Sequence, residues 1–276
     1  MKHRPLTEML VADGLCADRK QAAAWVMAGK VLVNDQPATA GMRVRPQDKV
    51  RLKDQLPFAS KGGLKLEGAL FAFGLEVKGL VCLDAGASTG GFTDCLLQRG
   101  ARLVYAVDVG FGQLTGALRQ DSRVVNLERT NLSSPSLLSL DPVPVFATCD
   151  LSYLSLREAV PVYRDILRGR GQLAALVKPL FEVEDNEARR SGVIANAAYV
   201  PMLRGLASYL NALPGVRIQD VCESPVTGGA GTLEFFFHIR FGDGLPPVDL
   251  EGGITRSVDK ALELNHKAKA GDSTLE

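Results

Sequence analysis

Four charged residues lie next to apolar runs, where an α/β chain usually carries its chemistry. Asp150 and Lys178 each follow an apolar run directly. Glu234 begins another such run after a glycine-rich loop, and Lys65 precedes the first helix of the same region. A single strand-end charge is equally well explained as a solvated surface residue. Two lysines and two carboxylates on elements that converge on one crevice are a set that can hold and move a proton.

The segment 82–92, Cys-Leu-Asp-Ala-Gly-Ala-Ser-Thr-Gly-Gly-Phe, has the pattern of a ligand-binding turn. An apolar run predicts a buried strand, the glycines a turn, and the residues from Phe92 a helix. This arrangement suits a nucleotide-like ligand, because the backbone can approach it closely and the free amides of the helix face it. An ordinary flexible loop is the alternative. We expect ligand contacts from Asp84, Gly86, Ala87, Ser88, Thr89, Gly90, Gly91 and Phe92.

Two ligands compete for this turn. A dinucleotide favours the spacing G-x-G-x-x-G, which this turn lacks. The start Asp84-Ala-Gly86 is instead what S-adenosylmethionine enzymes place beside the amino-acid end of that molecule. Asp108 ends the next apolar run and is suited to bind ribose hydroxyls of either ligand. Glu128 and Arg129 follow the third run and are expected at the adenine edge.

The elements that must position these residues alternate between apolar runs and helical patterns. Such alternation predicts an α/β fold with a mostly parallel sheet and helices on both faces. The last two strands lack a helix between them, so the final strand should be antiparallel, as in the seven-stranded, Rossmann-like class I methyltransferases. The predicted strands are 80–84, 103–108, 123–127, 144–149, 172–177, 216–222 and 233–239, and the predicted helices are 66–73, 91–99, 112–119, 155–168, 198–212 and 255–268.

A small α+β module precedes this region. Helices are predicted over 6–13 and 19–28, the second capped by Asp18, followed by a strand from Val31 and a strand pair formed by Val44 with 48–52. Residues 1–65 hold 12 Lys/Arg against 6 Asp/Glu, whereas the rest of the chain holds 20 against 25. A basic module ahead of an acidic body favours an anionic polymer as partner. We expect phosphate contacts from Arg4, Arg19, Lys20, Lys30 and Lys61.

Composition narrows the function further. The 276 residues suffice for one large or two modest domains, and no apolar run approaches the roughly 18 residues of a membrane helix. No apolar signal core follows the N-terminus, so we expect a cytoplasmic protein. The five cysteines are scattered and the three histidines lie far apart, which argues against a metal site, disulfides and histidine-centred catalysis.

Two resemblances connect these observations. Segments 17–23, Ala-Asp-Arg-Lys-Gln-Ala-Ala, and 28–34, Ala-Gly-Lys-Val-Leu-Val-Asn, resemble the alpha-L RNA-binding motif of the ribosomal-protein S-four fold. Over nearly the whole chain the motifs resemble the TlyA family, the "haemolysin A" proteins, in which that module is fused to an FtsJ-like methyltransferase. The segments that carry this second resemblance are 60–66, 84–95, 105–110, 150–155, 177–182 and 234–236.

The TlyA resemblance implies S-adenosylmethionine-dependent 2′-O-methylation of ribosomal RNA by a tetrad that matches Lys65, Asp150, Lys178 and Glu234. A ribose hydroxyl is a very weak acid and must lose its proton as it attacks. We expect Lys178 to be the base, because a desolvated crevice and a second cation both favour a neutral amine. The expected organisation is an RNA-binding domain over 1–53, a glycine-containing flexible linker over 54–64, a methyltransferase domain over 65–242, and a C-terminal helix and tail over 243–276.

Other functions stay open at this point. A non-catalytic RNA-binding or ribosome-assembly factor could keep the same fold, and an assay of methyl transfer to ribosomal RNA would separate it from an enzyme. A membrane-lytic protein would have to cause leakage of liposomes. A dinucleotide oxidoreductase would differ in the cofactor that it binds.

Overall fold

A computed structural model describes residues 3–16, 18–34, 36–52, 57–228 and 231–272. The chain forms two compact units, Met1–Pro57 and Phe58–Glu276. Residues 54–56 of the expected linker and 273–276 of the expected tail lie outside the described residues. Within the described part, no helix combines the length and the apolar character needed to cross a membrane.

The first unit packs two helices on short strands. Asp18 caps the second helix, because its Oδ1 accepts a hydrogen bond from the Gln21 amide at 2.7 Å. A small apolar core that includes Leu10 and Val31 holds the unit together. Its elements are β1 Arg4–Pro5, α1 Leu6–Ala12, α2 Arg19–Met27, β2 Val31–Val33, β3 Gln36–Pro37, β4 Arg43–Val44 and β5 Val50–Leu52.

The predicted strand pair in this unit is wrong in its partners. β4 pairs antiparallel with β1, and β5 pairs antiparallel with β2. The register between Val31 and Leu52 brings both side chains into the core, whereas Val44 is buried beside the first helix. Burial of these apolar side chains, which the local pattern does not reveal, decides which strands meet.

The second unit alternates strands and helices as predicted. Its strands are β6 Val81–Ala85, β7 Leu103–Val107, β8 Val124–Leu127, β9 Phe146–Cys149, β10 Gly171–Val177, β11 Val216–Glu223 and β12 Phe235–Phe241. Its helices are α3 Lys61–Ala72, α4 Gly91–Gln98, α5 Gly116–Gln120, α6 Leu156–Ile166, α7 Pro179–Glu182, α8 Asn186–Ser191, α9 Tyr199–Asn211 and α10 Glu251–Asp272. Two short 3₁₀ helices, Pro135–Ser139 and Asn196–Ala198, complete the unit.

The seven strands form one sheet in the order β11-β12-β10-β9-β6-β7-β8. Only β12 runs antiparallel to its neighbours, which confirms the predicted antiparallel last strand. Successive residues of β6 point to opposite faces: Leu83 packs in a cluster with Leu203 of α9, and Cys82 in a cluster with Leu66 of α3. Helices therefore cover both faces, as the continuous apolar runs predict.

The chain reverses its direction of sheet growth between β6 and β9. From β6 it proceeds to β7 and β8 on one side, and β9 then starts the other half. Open α/β sheets bind ligands at such a point, beyond the carboxyl ends of the strands. The glycine turn follows β6 and Asp150 follows β9, so both lie at this position.

Several helices of the second unit differ from the predicted ones. α3 begins at Lys61, five residues before the predicted start, because the Ser60 side chain caps it and accepts a hydrogen bond from the Gly62 amide at 3.2 Å. α5 begins only at Gly116, since Gly112 adopts φ +70°, outside the right-handed helical region. The short helices α7 and α8 have too few residues for a periodic pattern and were not predicted.

Candidate functional site

The glycine turn between β6 and α4 requires its glycines. Gly86 has φ +86°, and a side-chain carbon there would overlap the carbonyl oxygen of Asp150. Gly90 has φ +100°, and a side-chain carbon at this position would overlap the side chain of Leu118. The amides of Gly86 and Ala87 both donate to the Val107 carbonyl, at 2.9 and 3.1 Å. The turn is thereby fixed against both neighbouring strand ends.

Asp84 lies behind the turn instead of facing a ligand. It is completely buried, and its carboxylate accepts hydrogen bonds from the hydroxyls of Thr93 at 2.6 Å and Thr148 at 2.9 Å. Burial raises the pKa of Asp84 to about 6, although both hydroxyls oppose the rise. Asp84 thus joins β6 to α4 and β9, and any effect on a bound ligand passes through the turn that it holds.

Asp108 directly follows β7. Its Oδ2 accepts a hydrogen bond from the Ser88 amide at 2.8 Å, and its Oδ1 accepts one from the Gly110 amide at 2.7 Å. Asp108 borders a cavity at the ends of β6, β7 and β9, which we call the Asp108 cleft. Its walls include Gly86, Ser88, Asp108, Val109, Thr130, Leu132, Asp150, Ser152 and Tyr153.

Glu128 and Arg129 are not among the residues that line the Asp108 cleft. The Glu128 carboxylate lies 3.5 Å from the Arg119 guanidinium, and the Arg129 guanidinium lies 4.3 Å from the centre of the Phe111 ring. The chain turns at Arg129, where φ is +52°, so that Thr130 and Leu132 line the wall instead. The residues just after the predicted pair thus border this cavity, and the predicted pair itself does not.

Lys65 and Glu234 form a buried ion pair although 169 residues separate them in the sequence. Their Nζ and Oε2 atoms are 2.5 Å apart, and their side chains are 13% and 8% exposed. Burial raises the pKa of Glu234, and the attraction of Lys65 opposes that rise. Gly63 lets the start of α3 pack directly on Phe58, because a side-chain carbon at this position would overlap Phe58.

Lys178 and Asp150 form the second pair of the predicted tetrad. Lys178 Nζ lies 2.5 Å from Asp150 Oδ1 and also donates to Ser152 Oγ at 2.6 Å. Asp150 directly follows β9 and Lys178 directly follows β10, and these strands are parallel neighbours. The charges of Asp150 and Lys178 also act on the Glu234 carboxylate, so all four predicted residues belong to one electrostatic cluster.

Sequence reasoning missed Ser152 as a member of this cluster. The segment 150–155, Asp-Leu-Ser-Tyr-Leu-Ser, contains it, and a hydroxyl two residues beyond a strand-end carboxylate was the available signal. A loop places Ser152 opposite Lys178, and a pattern based on strand ends does not reach into such a loop.

Two further cavities adjoin the cluster. The Lys65 cleft lies between the N-termini of α3 and α4, and Asp150 lines both it and the Asp108 cleft. The second cavity is the Lys178 cleft, and Ser152 lines both it and the Asp108 cleft. The Lys65 cleft is lined by Ser60, Lys61, Lys65, Ala87, Thr89, Gly91, Phe92 and Thr227, among others, and the Lys178 cleft by Ser152, Lys178, Pro179, Leu180, Phe181, Thr232 and Glu234.

The predicted phosphate-binding residues divide between the two units. Lys20 and Lys30 are exposed on the first unit. Arg4 lies 3.3 Å from Asp13 and Arg19 lies 2.9 Å from Glu8, both as surface pairs, which are weak in water. Lys61 is exposed at the edge of the Lys65 cleft.

Comparison with known proteins gives a consistent result. The family model of the FtsJ-like methyltransferases matches residues 58–241, and that of the S4 domain matches residues 4–50. The chain is 39% identical over 265 residues to the 16S/23S rRNA (cytidine-2′-O)-methyltransferase TlyA of Mycobacterium tuberculosis, covering 91% of this chain and 96% of that protein. It is 33% identical to Hemolysin A of Brachyspira hyodysenteriae, covering 84% and 98%.

A solved structure agrees with both matches. A protein of Streptococcus thermophilus that is named as a hemolysin shares 36% identity with a TM-score of 0.72, covering 98% of this chain and 99% of that one. The seven-stranded sheet with its single antiparallel strand is the class I methyltransferase fold. The chain therefore belongs to the FtsJ-like methyltransferase family, and its N-terminal unit is an S4 domain.

Proposed function

We propose that this protein transfers a methyl group from S-adenosylmethionine to a ribose 2′-hydroxyl of ribosomal RNA, with Lys178 as the general base. The observation that carries the proposal is the position of Lys178. Its ammonium group meets Asp150 and Ser152, which also line the Asp108 cleft, while its own side chain lines the separate Lys178 cleft. A donor on one side and a nucleophile on the other would meet at this residue.

The residues of the Asp108 cleft fit an adenosine-containing donor. The carboxylate of Asp108 stands at the end of β7 and can accept from ribose hydroxyls, as in other folds of this type. Val109 and Leu132 offer apolar walls for a base, and Gly86 and Ser88 of the glycine turn border the same cavity. S-adenosylmethionine, when bound, supplies a methyl group already activated by its sulfonium charge.

The protein's own part in the chemistry is alignment and proton removal. A neutral Lys178 amine has two N–H bonds and one lone pair. If Asp150 and Ser152 accept the two N–H bonds, the lone pair points in the remaining direction and can take the proton of a hydroxyl in the Lys178 cleft. Lys65 and Glu234 add one charge of each sign. With Asp150 ionised, the cluster therefore has no net charge while Lys178 is an ammonium and a net charge of −1 once Lys178 is the neutral amine.

The S4 domain supplies a surface for the RNA. Lys20 and Lys30 are exposed there, and the surface pairs of Arg4 and Arg19 can exchange a carboxylate for a phosphate at little cost. Lys61 offers a cation beside the cleft itself. The M. tuberculosis relative is named for cytidine in both ribosomal RNAs, which makes cytidines of both subunits the first nucleotides to check.

Purified protein should transfer labelled methyl groups from S-adenosylmethionine to ribosomal subunits, and mass spectrometry should locate them on ribose. Lys178→Ala should reduce kcat by about 10²–10⁴-fold, the usual contribution of a general base. Lys78→Ala removes an exposed lysine from the same unit and should leave the rate unchanged. Calorimetry with S-adenosylmethionine should show that Lys178→Ala still binds the donor.

Three results would overturn parts of the proposal. Near-normal transfer by Lys178→Ala would exclude this lysine as the base. Methyl groups on bases instead of ribose would exclude 2′-O chemistry. RNA binding without any transfer by the unaltered protein would favour the non-catalytic RNA-binding function.

A further inference from the structure

Two side chains hold the ammonium group of Lys178, those of Asp150 and Ser152. The proposed function gives Ser152 no catalytic role of its own. Asp150 Oδ1 lies 2.5 Å from Nζ, and Ser152 Oγ accepts a hydrogen bond from Nζ at 2.6 Å. The Ser152 residue itself is exposed at the cavity, so its hydroxyl is not held there by burial. What keeps it opposite Lys178 must be the conformation of the loop that connects β9 to α6.

That loop is fixed at both ends. At its start the Asp150 amide donates to the Ala85 carbonyl at 3.0 Å, which ties it to the glycine turn. At its end stands Glu182, a buried carboxylate with 3% exposure that the methyl-transfer chemistry does not use. Glu182 belongs to α7, which begins directly after Lys178.

Glu182 accepts three hydrogen bonds from the end of the loop and the start of α6. Oε1 accepts from the Leu156 amide at 2.7 Å, and Oε2 accepts from Ser155 Oγ at 2.7 Å and from Arg157 Nη1 at 3.0 Å. Hydrogen bonds to an ionised acceptor are the strong ones, and a carboxylate at a helix N-terminus also interacts favourably with the helix dipole. A buried carboxylate with these partners has little freedom to move.

Glu182 therefore joins the loop that follows β9 to the segment that follows β10. The first carries Asp150 and Ser152, and the second carries Lys178. We propose that Ser152 is a positioning residue for methyl transfer, which aims the Lys178 amine together with Asp150, and that Glu182 keeps Ser152 within reach of it. This inference rests on the proposed role of Lys178 as the base.

The choice of a hydroxyl at this position has a chemical reason. A neutral amine needs two acceptors to fix the direction of its lone pair. A second carboxylate would do so, but it would also favour the ammonium form, which cannot accept a proton. A serine hydroxyl accepts the N–H bond with a much smaller preference for the charged form.

Three substitutions at Ser152 separate these effects. Ser152→Ala removes the acceptor and should lower kcat about 10-fold through loss of alignment. It should also move the midpoint of the rise of kcat with pH to lower pH, because the ammonium has lost a stabilising partner. Ser152→Thr keeps the hydroxyl and should restore most of kcat, whereas Ser152→Asp should move the midpoint to higher pH.

Glu182 is tested through its dependence on Ser152. Glu182→Gln keeps the shape but replaces an acceptor oxygen with a donor that faces other donors, so it should lower both kcat and Tm. If Glu182 acts through Ser152, the double variant Ser152→Ala/Glu182→Gln should lose little more kcat than the worse single variant, because coupled residues are not additive. Glu182→Asp serves as a second variant if Glu182→Gln fails to fold.

The measurements are kcat and KM on ribosomal subunits from pH 6 to 9, with Lys178→Ala as reference. An unchanged kcat and pH midpoint in Ser152→Ala, while Lys178→Ala is inactive, would overturn the positioning role alone. Multiplied losses in the double variant would overturn the role of Glu182. An active Lys178→Ala, or an inactive unaltered protein, would overturn the proposed function and this inference with it.

Discussion

At the scale of single residues, the site depends on charges that only the folded chain brings together. The pair Lys65–Glu234 is nearly removed from solvent. Transfer of either charge into such a place without its partner costs several kcal/mol, whereas a paired or apolar replacement costs little. The two residues must therefore be treated as a unit in any mutational study.

Lys65→Met should destabilise the protein more at neutral than at acidic pH. Burial already raises the pKa of Glu234, and loss of Lys65 removes the interaction that opposes the rise. When a carboxyl group has a higher pKa in the native state than in the unfolded state, the protein becomes less stable as the pH rises from the lower of these two values to the higher. We expect a loss of about 3 kcal/mol at pH 7 and a smaller loss at pH 4.5, measured by urea unfolding.

The double variant Lys65→Met/Glu234→Leu is the control for this experiment. It removes both charges and should recover most of the lost stability, although not the activity. A loss of equal size at both pH values in the single variant would show that packing, and not charge, is responsible.

His238 gives a second prediction, in which the protein loses stability as the pH falls instead of as it rises. Burial lowers its pKa to about 4, and its Nε2 lies 2.8 Å from Gln172 Oε1. Between pH 6.5 and 4 the unfolded chain binds a proton that the native protein excludes, so stability falls as the pH falls. In the unaltered protein, His238 should make the unfolding free energy up to about 3 kcal/mol smaller at pH 4 than at pH 7. His238→Asn should abolish this contribution. A variant with the same pH dependence as the unaltered protein would contradict this.

Asp150 and Lys178 could be placed together from the sequence because each follows a recognisable strand and parallel strands end at one edge. Glu234 reaches the same edge because it precedes the antiparallel strand β12, and Lys65 reaches it from helix α3. Ser152 and Glu182 could not be predicted, since their positions depend on a loop and on a one-turn helix. The wall of the Asp108 cleft shows the same limit, because the left-handed conformation at Arg129 decides that Thr130 faces the cavity.

At the scale of elements, the start of α3 departs most from expectation. The two glycines after Lys61 indicated a flexible linker, yet they lie inside the first turns of a helix. They are needed for close packing: Gly63 faces Phe58, and the helix start approaches Gly91 of α4. A pattern of glycines alone does not distinguish a flexible segment from a tightly packed one.

Alanine substitutions at the two adjacent glycines of α3 provide a variant and its matched control. Gly63→Ala would force its new carbon into the base of the Phe58 side chain, so we expect a loss of about 1–3 kcal/mol in unfolding free energy. Gly62→Ala meets its nearest atoms at 3.2 and 3.4 Å and should be much better tolerated, with the helical preference of alanine in its favour. Equal thermal stabilities of the two variants would contradict the packing role of Gly63.

At the scale of the whole molecule, the chain consists of two units with separate cores. The S4 domain has its own apolar cluster around Leu10 and Val31, and the methyltransferase unit has clusters on both faces of its sheet. The alternation of runs and the basic bias of the first residues made this division predictable. The boundary was harder to predict, because Ser60 and the glycines after it belong to the second unit.

A chain of residues 58–276 should fold and bind S-adenosylmethionine with unchanged affinity in calorimetry, because the Asp108 cleft lies wholly within that unit. It should methylate ribosomal subunits much more slowly, since the cations of the S4 domain are missing. The methylation rate should also depend less on salt, because fewer phosphate contacts release fewer counterions. Equal rates for both chains at all salt concentrations would show that the S4 domain is dispensable for the substrate.

The position of β12 has a consequence for the folding of the protein during translation. This strand is made last of the seven, yet it inserts between β10 and β11, and Glu234 directly precedes it. While the chain emerges from the ribosome, the S4 domain can fold early. Lys65, in contrast, cannot form its ion pair until Glu234 has been synthesised. A translation product that stops before Glu234 contains every residue of the S4 domain that we propose to bind RNA, but it cannot complete the tetrad. We therefore expect such a product to bind RNA without modifying it.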